Sequence, residues 1–343
     1  MQSIYRQHSQ GYRHDYAKQY QILDVDMSGM PCGKKAAFAS KGYFAKQRNR
    51  RGRQLGRVLA SRYEEVVVDR LFDGTTQLTK ALQPLMQAAE QTLALDQRKR
   101  ERTLVRTDAG GGSVGDVNWL LVRGYQFHGK DYSTQRARRL AESVQDWVED
   151  PHVPGRQVGW VRLPASEYVR PVRRIAVRCR KTNGQWGIGV LISTLTPQEV
   201  LALTQPEASL NADPATVLLA YVSLYDQRGG GVETSFKGDH QGLGSTKRSK
   251  KRGSRATDGD VVGQLGPQCR HLGSPVADAG GCVQQAAALW DRAHGARCVP
   301  YQWLSGLRCL GPPRPDCAEP SGTFGTHLSR VVAGATGTHP CCR

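Results

Sequence analysis

The segment QYQILDVDMS, residues 19–28, limits how the rest of the chain can be arranged. Its Ile, Leu and Val residues predict a β-strand. Because successive side chains of a strand point to opposite faces, Asp24 and Asp26 are expected on the same face. Two acids on one strand face are candidate metal ligands, and an ordinary solvated strand edge is the alternative.

The segments that follow alternate between strand and helix patterns. Together they predict an α/β fold, a mixed sheet with flanking helices that resembles the ribonuclease H-like fold. The predicted elements are strands at 33–45 and 56–72 joined by a basic turn, a helix at 75–95 that Pro84 should kink, a strand at 102–108, a glycine-rich turn, a helix at 116–124, a strand at 125–132 and a helix at 133–148.

The chain is expected to divide into three parts. Residues 18–252 form the predicted core, and residues 1–17 are an N-terminal remnant. Within the core, residues 155–196 are rich in strand-forming residues and contain an Asn-Gly hairpin turn. This segment is predicted to be a β-rich insertion between the fifth strand and a final helix.

Residues 253–343 have a different composition. They contain no Lys, Ile, Asn or Met, and they hold seven of the nine cysteines, none in a C-x-x-C pair. They also lack helical or strand periodicity, so this C-terminal tail is predicted to have no fold. An out-of-frame reading of a G+C-rich gene would produce such a composition, and a natural disordered tail is the alternative.

The charge of the chain favours a polyanionic partner. Lys and Arg number 48 against 30 Asp and Glu, which gives a net charge of +18 and a pI of about 9.8. Nucleic acid is the first candidate and an anionic membrane surface the second. The sequence has neither a long apolar run nor a signal peptide, so we expect a cytoplasmic, nucleoid-associated protein rather than a membrane protein.

Two more acids follow glycine-rich or strand-ending sequence. Asp108 ends the fourth predicted strand, and YDQRGGGVETSFKGDHQGLG, residues 225–244, places Glu233 after three glycines. If the first and fourth strands are neighbours, Asp26 or Asp24 lies beside Asp108, and a helix starting near Val232 adds Glu233. Three carboxylates can hold two Mg²⁺ ions. The alternatives are a loop cap for Asp108 and a helix-dipole role for Glu233.

In combination, these motifs resemble those of the DDE transposases of bacterial insertion sequences, in the group with a strand-rich insertion. LDVDMSG resembles the first-aspartate motif, with Asp26 as the ligand and Asp24 as the alternative. VRTDAGGGS resembles the second motif and supplies Asp108. The segment from Tyr225 resembles the signature Y-x2-R-x3-E-x6-K, although Glu233 comes one residue late and a histidine stands where the lysine is expected.

The resemblance implies a transposase that nicks DNA at insertion-sequence ends and transfers a 3′-hydroxyl to target DNA. The catalytic and metal-binding residues would be Asp26, Asp108 and Glu233, with two Mg²⁺ ions for which Mn²⁺ can substitute. The partners would be double-stranded DNA and further copies of the chain. A trimmed and frameshifted core of low stability, inactive as a remnant, is also consistent with the sequence.

Two basic segments predict contacts with DNA phosphates. Residues 34–57 hold nine Lys or Arg and no acid, and residues 246–255 form a second cluster. A solvated charged face is the alternative. The predicted DNA contacts are Lys34, Lys35, Arg50, Arg51, Arg53, Lys247, Arg248, Lys250, Lys251 and Arg252, with Tyr225, Arg228, Lys237 and His240 of the signature.

Two other functions fit the same residues. One is a non-catalytic basic DNA-binding protein that keeps the fold but has no metal site. The other is a ribonuclease H-like nuclease without a transposition step.

Overall fold

A computed structural model describes residues 2–44, 46–205 and 212–242. The predictions made for the tail, and for the second basic cluster with Lys247, Arg248, Lys250, Lys251 and Arg252, lie outside the described residues. Within the described ranges, no helix is long and apolar enough to cross a membrane.

The described chain contains ten strands and eight α-helices. The strands are β1 Gln21–Pro31, β2 Ser40–Phe44, β3 Gln47–Ala60, β4 Glu65–Asp73, β5 Thr103–Thr107, β6 Gln126–Lys130, β7 Val148–Glu149, β8 Arg156–Trp160, β9 Arg173–Arg180 and β10 Trp186–Ser193. The helices are α1 Gln2–His8, α2 Leu78–Leu93, α3 Gln97–Glu101, α4 Val114–Val122, α5 Thr134–Ala141, α6 Pro197–Thr204, α7 Pro214–Arg228 and α8 Thr234–Gly242. Two 3₁₀ turns, Ser61–Tyr63 and Ala109–Gly111, and one π-helical turn, Gly229–Glu233, complete the list.

All the strands belong to one mixed sheet in the order β2-β3-β1-β5-β6-β10-β9-β8-β7, with β4 also pairing with β3. Strands β1, β5 and β6 are parallel to one another, whereas β3 is antiparallel to β1 and to β4. The predicted mixed sheet with flanking helices is confirmed. So is the neighbourhood of the first and fourth predicted strands, which are β1 and β5.

The strand-rich segment continues this sheet. Strand β10 pairs antiparallel with β6, and β9 and β8 follow outward from it. The hairpin turn at Asn183–Gly184 joins β9 to β10, and Gly184 has a positive φ of 78°. The predicted insertion therefore lengthens the central sheet on the β6 side.

Three local predictions are wrong. The single strand predicted at 56–72 is interrupted by the turn Ser61–Tyr63, after which Glu64 adopts a left-handed φ of 52°. The predicted basic turn contains the start of β3, because Gln47–Gly52 pairs with β2. Helix α5 ends at Ala141, where the Ser143 hydroxyl donates to the Leu140 carbonyl.

The two faces of the sheet are covered by different helices. Leu23, Val25 and Val105 point to the face that α2 and α4 cover. Ile22 and Leu104 point to the opposite face, under α6 and α7. Since Asp24 and Asp26 alternate with Leu23 and Val25, both acids point toward the α7 face.

The N-terminal residues pack on the core. The Arg6 guanidinium donates to the carbonyls of Gln91 and Thr92 at the end of α2. The Glu65 carboxylate accepts from the Ser9 hydroxyl and from the amides of residues 10 and 11 at 2.6–2.9 Å. The segment predicted as a remnant is therefore bonded to α2 and β4.

Candidate active site

The site begins where the pairing between β1 and β5 ends. In the parallel register, Asp24 is opposite Arg106 and Val25 is opposite Thr107. Asp26 and Asp108 are the next residues on each strand. Both acids therefore lie directly beyond the last β1–β5 pair, Val25–Thr107, although β1 continues against β3 to Pro31.

Asp24 is fully buried and matched by Arg106. The Arg106 guanidinium donates Nε to Oδ1 at 2.6 Å and Nη2 to Oδ2 at 2.8 Å. It also donates Nη1 to the Leu224 carbonyl of α7 at 2.7 Å, and the Ser61 hydroxyl donates to Oδ2 of Asp24. Asp24 thus belongs to a sealed ion pair that ties β1 and β5 to α7.

Asp26 is less completely matched. Its side chain is 15 % exposed, and it accepts from the Met27 amide at 2.7 Å and from Nη1 of Arg228 at 3.1 Å. Burial raises the pKa of Asp26 to about 6; Arg228 opposes that shift and the charge of Asp108 adds to it. Asp26 and Asp108 are therefore close enough to repel each other.

Asp108 has a structural contact as well. Its Oδ1 accepts from the Gly110 amide at 2.8 Å and so caps the 3₁₀ turn Ala109–Gly111. The residue is only half-buried. The Asp108 carboxylate thus caps a loop, which was the alternative to a catalytic role. Its charge also acts on Asp26.

Arg228 joins Asp26 to Glu233. Its side chain is buried, and its Nη2 lies 3.4 Å from Oε1 of Glu233, whose side chain is 50 % exposed. The Arg228 guanidinium also lies 5.8 Å from the centre of the Tyr225 ring. Burial raises the pKa of Tyr225 to about 12 despite that neighbouring positive charge, so the phenol is neutral.

A second buried arginine, missed by sequence reasoning as a site residue, anchors α8. Arg57 on β3 donates Nε and Nη2 to Asp69 at 2.7 and 2.6 Å, and Nη2 to Asp239 at 2.5 Å. Its Nη1 donates to the Ser235 hydroxyl at 3.0 Å, and the guanidinium lies over the Phe236 ring. The only sequence signal was an arginine inside the apolar run LGRVLA.

A third buried arginine anchors the other side of the site helix. Arg156 on β8 pairs with Asp150 at 2.5 Å and, through Nη1, with Asp226 of α7 at 2.7 Å. The strand-rich segment therefore holds α7 one helical turn before the π-helical turn. No local pattern in the sequence indicated this contact.

The donors suit a divalent cation in type but do not form a closed site. Among the described residues, no three Asp, Glu, His or Cys side chains converge closely enough to hold a metal ion together. Asp26 and Asp108 repel each other, and a guanidinium already lies between Asp26 and Glu233. This edge of the sheet therefore accommodates positive charge, and carboxylate oxygens are the ligands that Mg²⁺ and Mn²⁺ prefer.

The predicted DNA-contacting residues differ in exposure. Lys34, Lys35 and Arg50 are exposed near the β2–β3 hairpin, Arg51 is half-buried there, and Lys237 is exposed on α8. His240 lies in α8, and its side chain is outside the described part of the chain. Arg53 is only 1 % exposed, because β3 is flanked there by β1 and β4. A guanidinium at that position does not face solvent, so Arg53 is withdrawn as a surface contact.

Comparison with known proteins finds a similar solved structure. No protein-family model and no curated protein matches the chain. A piggyBac transposase synaptic complex with hairpin DNA is similar to this chain at a TM-score of 0.48 and 12 % identity. The match covers 92 % of this chain, which spans 65 % of the length of the piggyBac chain.

Proposed function

We propose that this chain is a DDE transposase with a ribonuclease H-like core that cleaves DNA and transfers a 3′-hydroxyl end. The observation that carries the proposal is the position of Asp26 and Asp108 directly beyond the last residue pair of the adjacent parallel strands β1 and β5. The order β4-β3-β1-β5-β6 around them, with β3 and β4 antiparallel and β5 and β6 parallel, supports a ribonuclease H-like core.

Three carboxylates would hold the metal ions. Asp26, Asp108 and Glu233 would be the ligands. Asp24 is the poorer candidate because Arg106 already neutralises it in the interior. When bound, two Mg²⁺ ions supply charge stabilisation and activate an oxygen nucleophile.

The chain's own residues would orient the DNA. Arg228 lies beside both Asp26 and Glu233, so its guanidinium is placed to meet a phosphate that approaches these acids. Tyr225 is neutral and packs beside Arg228, which restricts the orientation of that side chain. Lys34, Lys35, Arg50 and Lys237 are exposed and would contact the backbone without reading base sequence.

A nicking assay tests the catalytic proposal. The purified full chain is incubated with supercoiled plasmid and Mn²⁺, beside the variants Asp26→Asn, Asp108→Asn and Glu233→Gln. We expect nicking by the parent chain and loss of at least about 100-fold in each variant. Asp146→Asn is the matched control, because Asp146 is an exposed acid whose only described partner is the exposed Arg162.

Strand transfer separates the enzyme classes. A labelled DNA oligonucleotide with a free 3′-hydroxyl that becomes joined to the plasmid supports a transposase. Nicking without joining supports a ribonuclease H-like nuclease. Nicking that survives all three variants would exclude the three-acid site. A parent chain that binds DNA but never nicks it supports the non-catalytic DNA-binding protein.

The salt dependence of DNA binding tests the basic surface. We expect the triple variant Lys34→Ala, Lys35→Ala and Arg50→Ala to reduce the slope of log K against log salt by up to about 0.9 per lost contact. Arg138→Ala with Arg139→Ala, on the exposed side of α5, is the control. Light scattering with and without DNA tests the proposed assembly of several copies.

A further inference from the structure

The helix that carries Glu233 changes its hydrogen-bonding pattern next to the site. Helix α7 ends at Arg228, the π-helical turn Gly229–Glu233 follows, and α8 continues from Thr234. A π-helix pairs residues five apart and so holds about one residue more in a turn than an α-helix does. The turn thus stores an additional residue without interrupting the helix.

The stored residue matters for the pair Arg228–Glu233, whose members are five positions apart. In an α-helix, side chains five apart point about 140° away from each other, since each residue turns by about 100°. Across a π-helical turn they lie above one another, which agrees with the 3.4 Å contact. The orientation of Glu233 toward Arg228 and Asp26 therefore depends on this turn.

The helix is held by ion pairs with buried arginines on both sides of the turn. Before it, Arg156 pairs with Asp226 at 2.7 Å. After it, Arg57 pairs with Asp239 at 2.5 Å. Val232 and Phe236 are also buried against β1, β3 and β4. With both sides held, a change in residue number between them must be absorbed by the turn.

The glycines are suited to that position. Glycine has the lowest helix propensity apart from proline, so three in succession weaken the preference for regular α-helix. A Cβ atom on Gly229 or Gly230 would meet nothing within 4 Å. A Cβ on Gly231 would lie 3.1 Å from the Asp24 carboxylate, so the backbone approaches the sealed ion pair closely there.

We propose that the turn Gly229–Glu233 is a positioning element that absorbs one surplus residue and so keeps Glu233 over Arg228 and Asp26. It follows that the chain without Gly230 forms a continuous α-helix with both arginine clamps and the Arg228–Glu233 pair in place. The role given to Glu233 rests on the proposed function. The inference about the helix register is independent of the proposed function.

Two single-residue deletions test the register. Deletion of Gly230 is compared with deletion of Ser223, an exposed residue of α7. Thermal unfolding of the full chain is followed by circular dichroism in EDTA. Without Gly230 we expect an unchanged midpoint or a rise of about 2–4 °C, because a poor helix former is lost.

Without Ser223, buried Leu224 and Arg228 and the ion-paired Asp226 shift in register relative to the sheet. We therefore expect a fall of at least about 5 °C or a failure to fold. Equal losses from the two deletions would overturn the proposal. So would a large loss from the Gly230 deletion alone.

Mn²⁺ binding tests the positioning of Glu233, with manganese chloride as the probe and the free-ion electron paramagnetic resonance signal as the readout. Glu233→Gln should weaken Mn²⁺ binding by at least about tenfold, both in the parent chain and in the chain lacking Gly230. A loss in the parent alone would overturn the proposal. No loss in either would refute the metal role of Glu233, and the unfolding midpoints would still decide the register.

Discussion

Asp24 and Asp26 lie two residues apart on the same strand and the same face, yet their surroundings are opposite. Asp24 is fully buried, shares two hydrogen bonds with Arg106 and accepts a third from Ser61. Asp26 is 15 % exposed, has one contact to Arg228 and is repelled by Asp108. One acid is completely satisfied within the protein, and the other is left with unmatched charge.

This difference indicates that Asp24 serves the stability of the fold, whereas Asp26 is available for chemistry. A buried carboxylate with a bidentate arginine strengthens the fold only as long as its partner remains. A carboxylate kept ionised beside another acid destabilises the fold, and it is available to a cation or a substrate. The same substitution at the two positions should therefore have effects of opposite sign.

The largest expected effect is at Asp24. Asp24→Asn removes the charge that Arg106 neutralises and leaves a buried guanidinium unmatched. We expect a loss of about 3–5 kcal/mol in the free energy of unfolding, or failure to fold. Denaturation by guanidinium chloride at pH 7.5 measures this loss. Asp146→Asn, which breaks the exposed pair with Arg162, should cost no more than about 1 kcal/mol.

Asp26→Asn should instead stabilise the metal-free protein. The pKa of Asp26 is about 6 in the folded state, against about 3.9 in an unfolded chain. The folded state therefore binds the proton more tightly, so ionised Asp26 costs stability above pH 6 and the cost disappears near pH 4. At pH 7.5 we expect a gain of at most about 3 kcal/mol.

The check for Asp26 is a pH series in EDTA. The difference in the free energy of unfolding between Asp26→Asn and the parent chain should be largest above pH 6 and close to zero at pH 4. A loss of stability at pH 7.5 would mean that Arg228 compensates Asp26 fully, and the contrast with Asp24 would then be wrong.

His128, a buried histidine affected by the charge of Arg106, provides a further test. It is fully buried on β6, and burial, with the charge of Arg106, lowers its pKa to about 3. An unfolded chain takes up the proton near pH 6.5, so stability is full above that pH and is lost as the pH falls toward 3. At pH 5, we expect the His128 side chain to lower the free energy of unfolding by about 2 kcal/mol.

His128→Phe should reduce the fall in stability between pH 7.5 and pH 5 by that amount. Stability at pH 7.5 is compared separately, so that a packing effect of the larger ring is not mistaken for a proton effect. His152→Phe, at an exposed histidine, is the matched control. If the two variants have equal pH dependence, the buried ring is not kept neutral by its surroundings.

The smallest expected effect is at Glu233. Its side chain is half exposed, and its contact with Arg228 is long at 3.4 Å. Glu233→Gln should therefore change the free energy of unfolding by less than about 0.5 kcal/mol in EDTA. A loss above about 2 kcal/mol would show that Arg228 depends on Glu233 for its charge balance. Glu233 would then belong, like Asp24, to the acids that stabilise the fold.

Much of the framework could be predicted because its signals are local. The alternation in QILDVDM, the apolar run before Asp108 and the helical spacing in 75–95 each depend on nearby residues. The break at Ser61–Glu64 was missed because the residues on both sides have strand composition. The left-handed Glu64 has no distinctive sequence signal.

The anchoring contacts could not be predicted because their partners are distant in the chain. Arg57 finds Asp239 across 182 positions, and Arg106 finds Asp24 across 82. An arginine inside an apolar strand fits either face of a sheet, and only the packed neighbours determine which acid it meets. Even the exposure of Arg53 depends on β1 and β4 flanking β3.

By itself, the sequence determined which residues carry charge, which segments alternate as strands and that Asp24 and Asp26 point the same way. The packing of distant segments determines that Arg106 neutralises Asp24, while Asp26 remains partly exposed beside Asp108 and Arg228. The physical reason is that strand geometry sets direction, whereas solvation and charge depend on what β3, β5 and α7 bring to that direction.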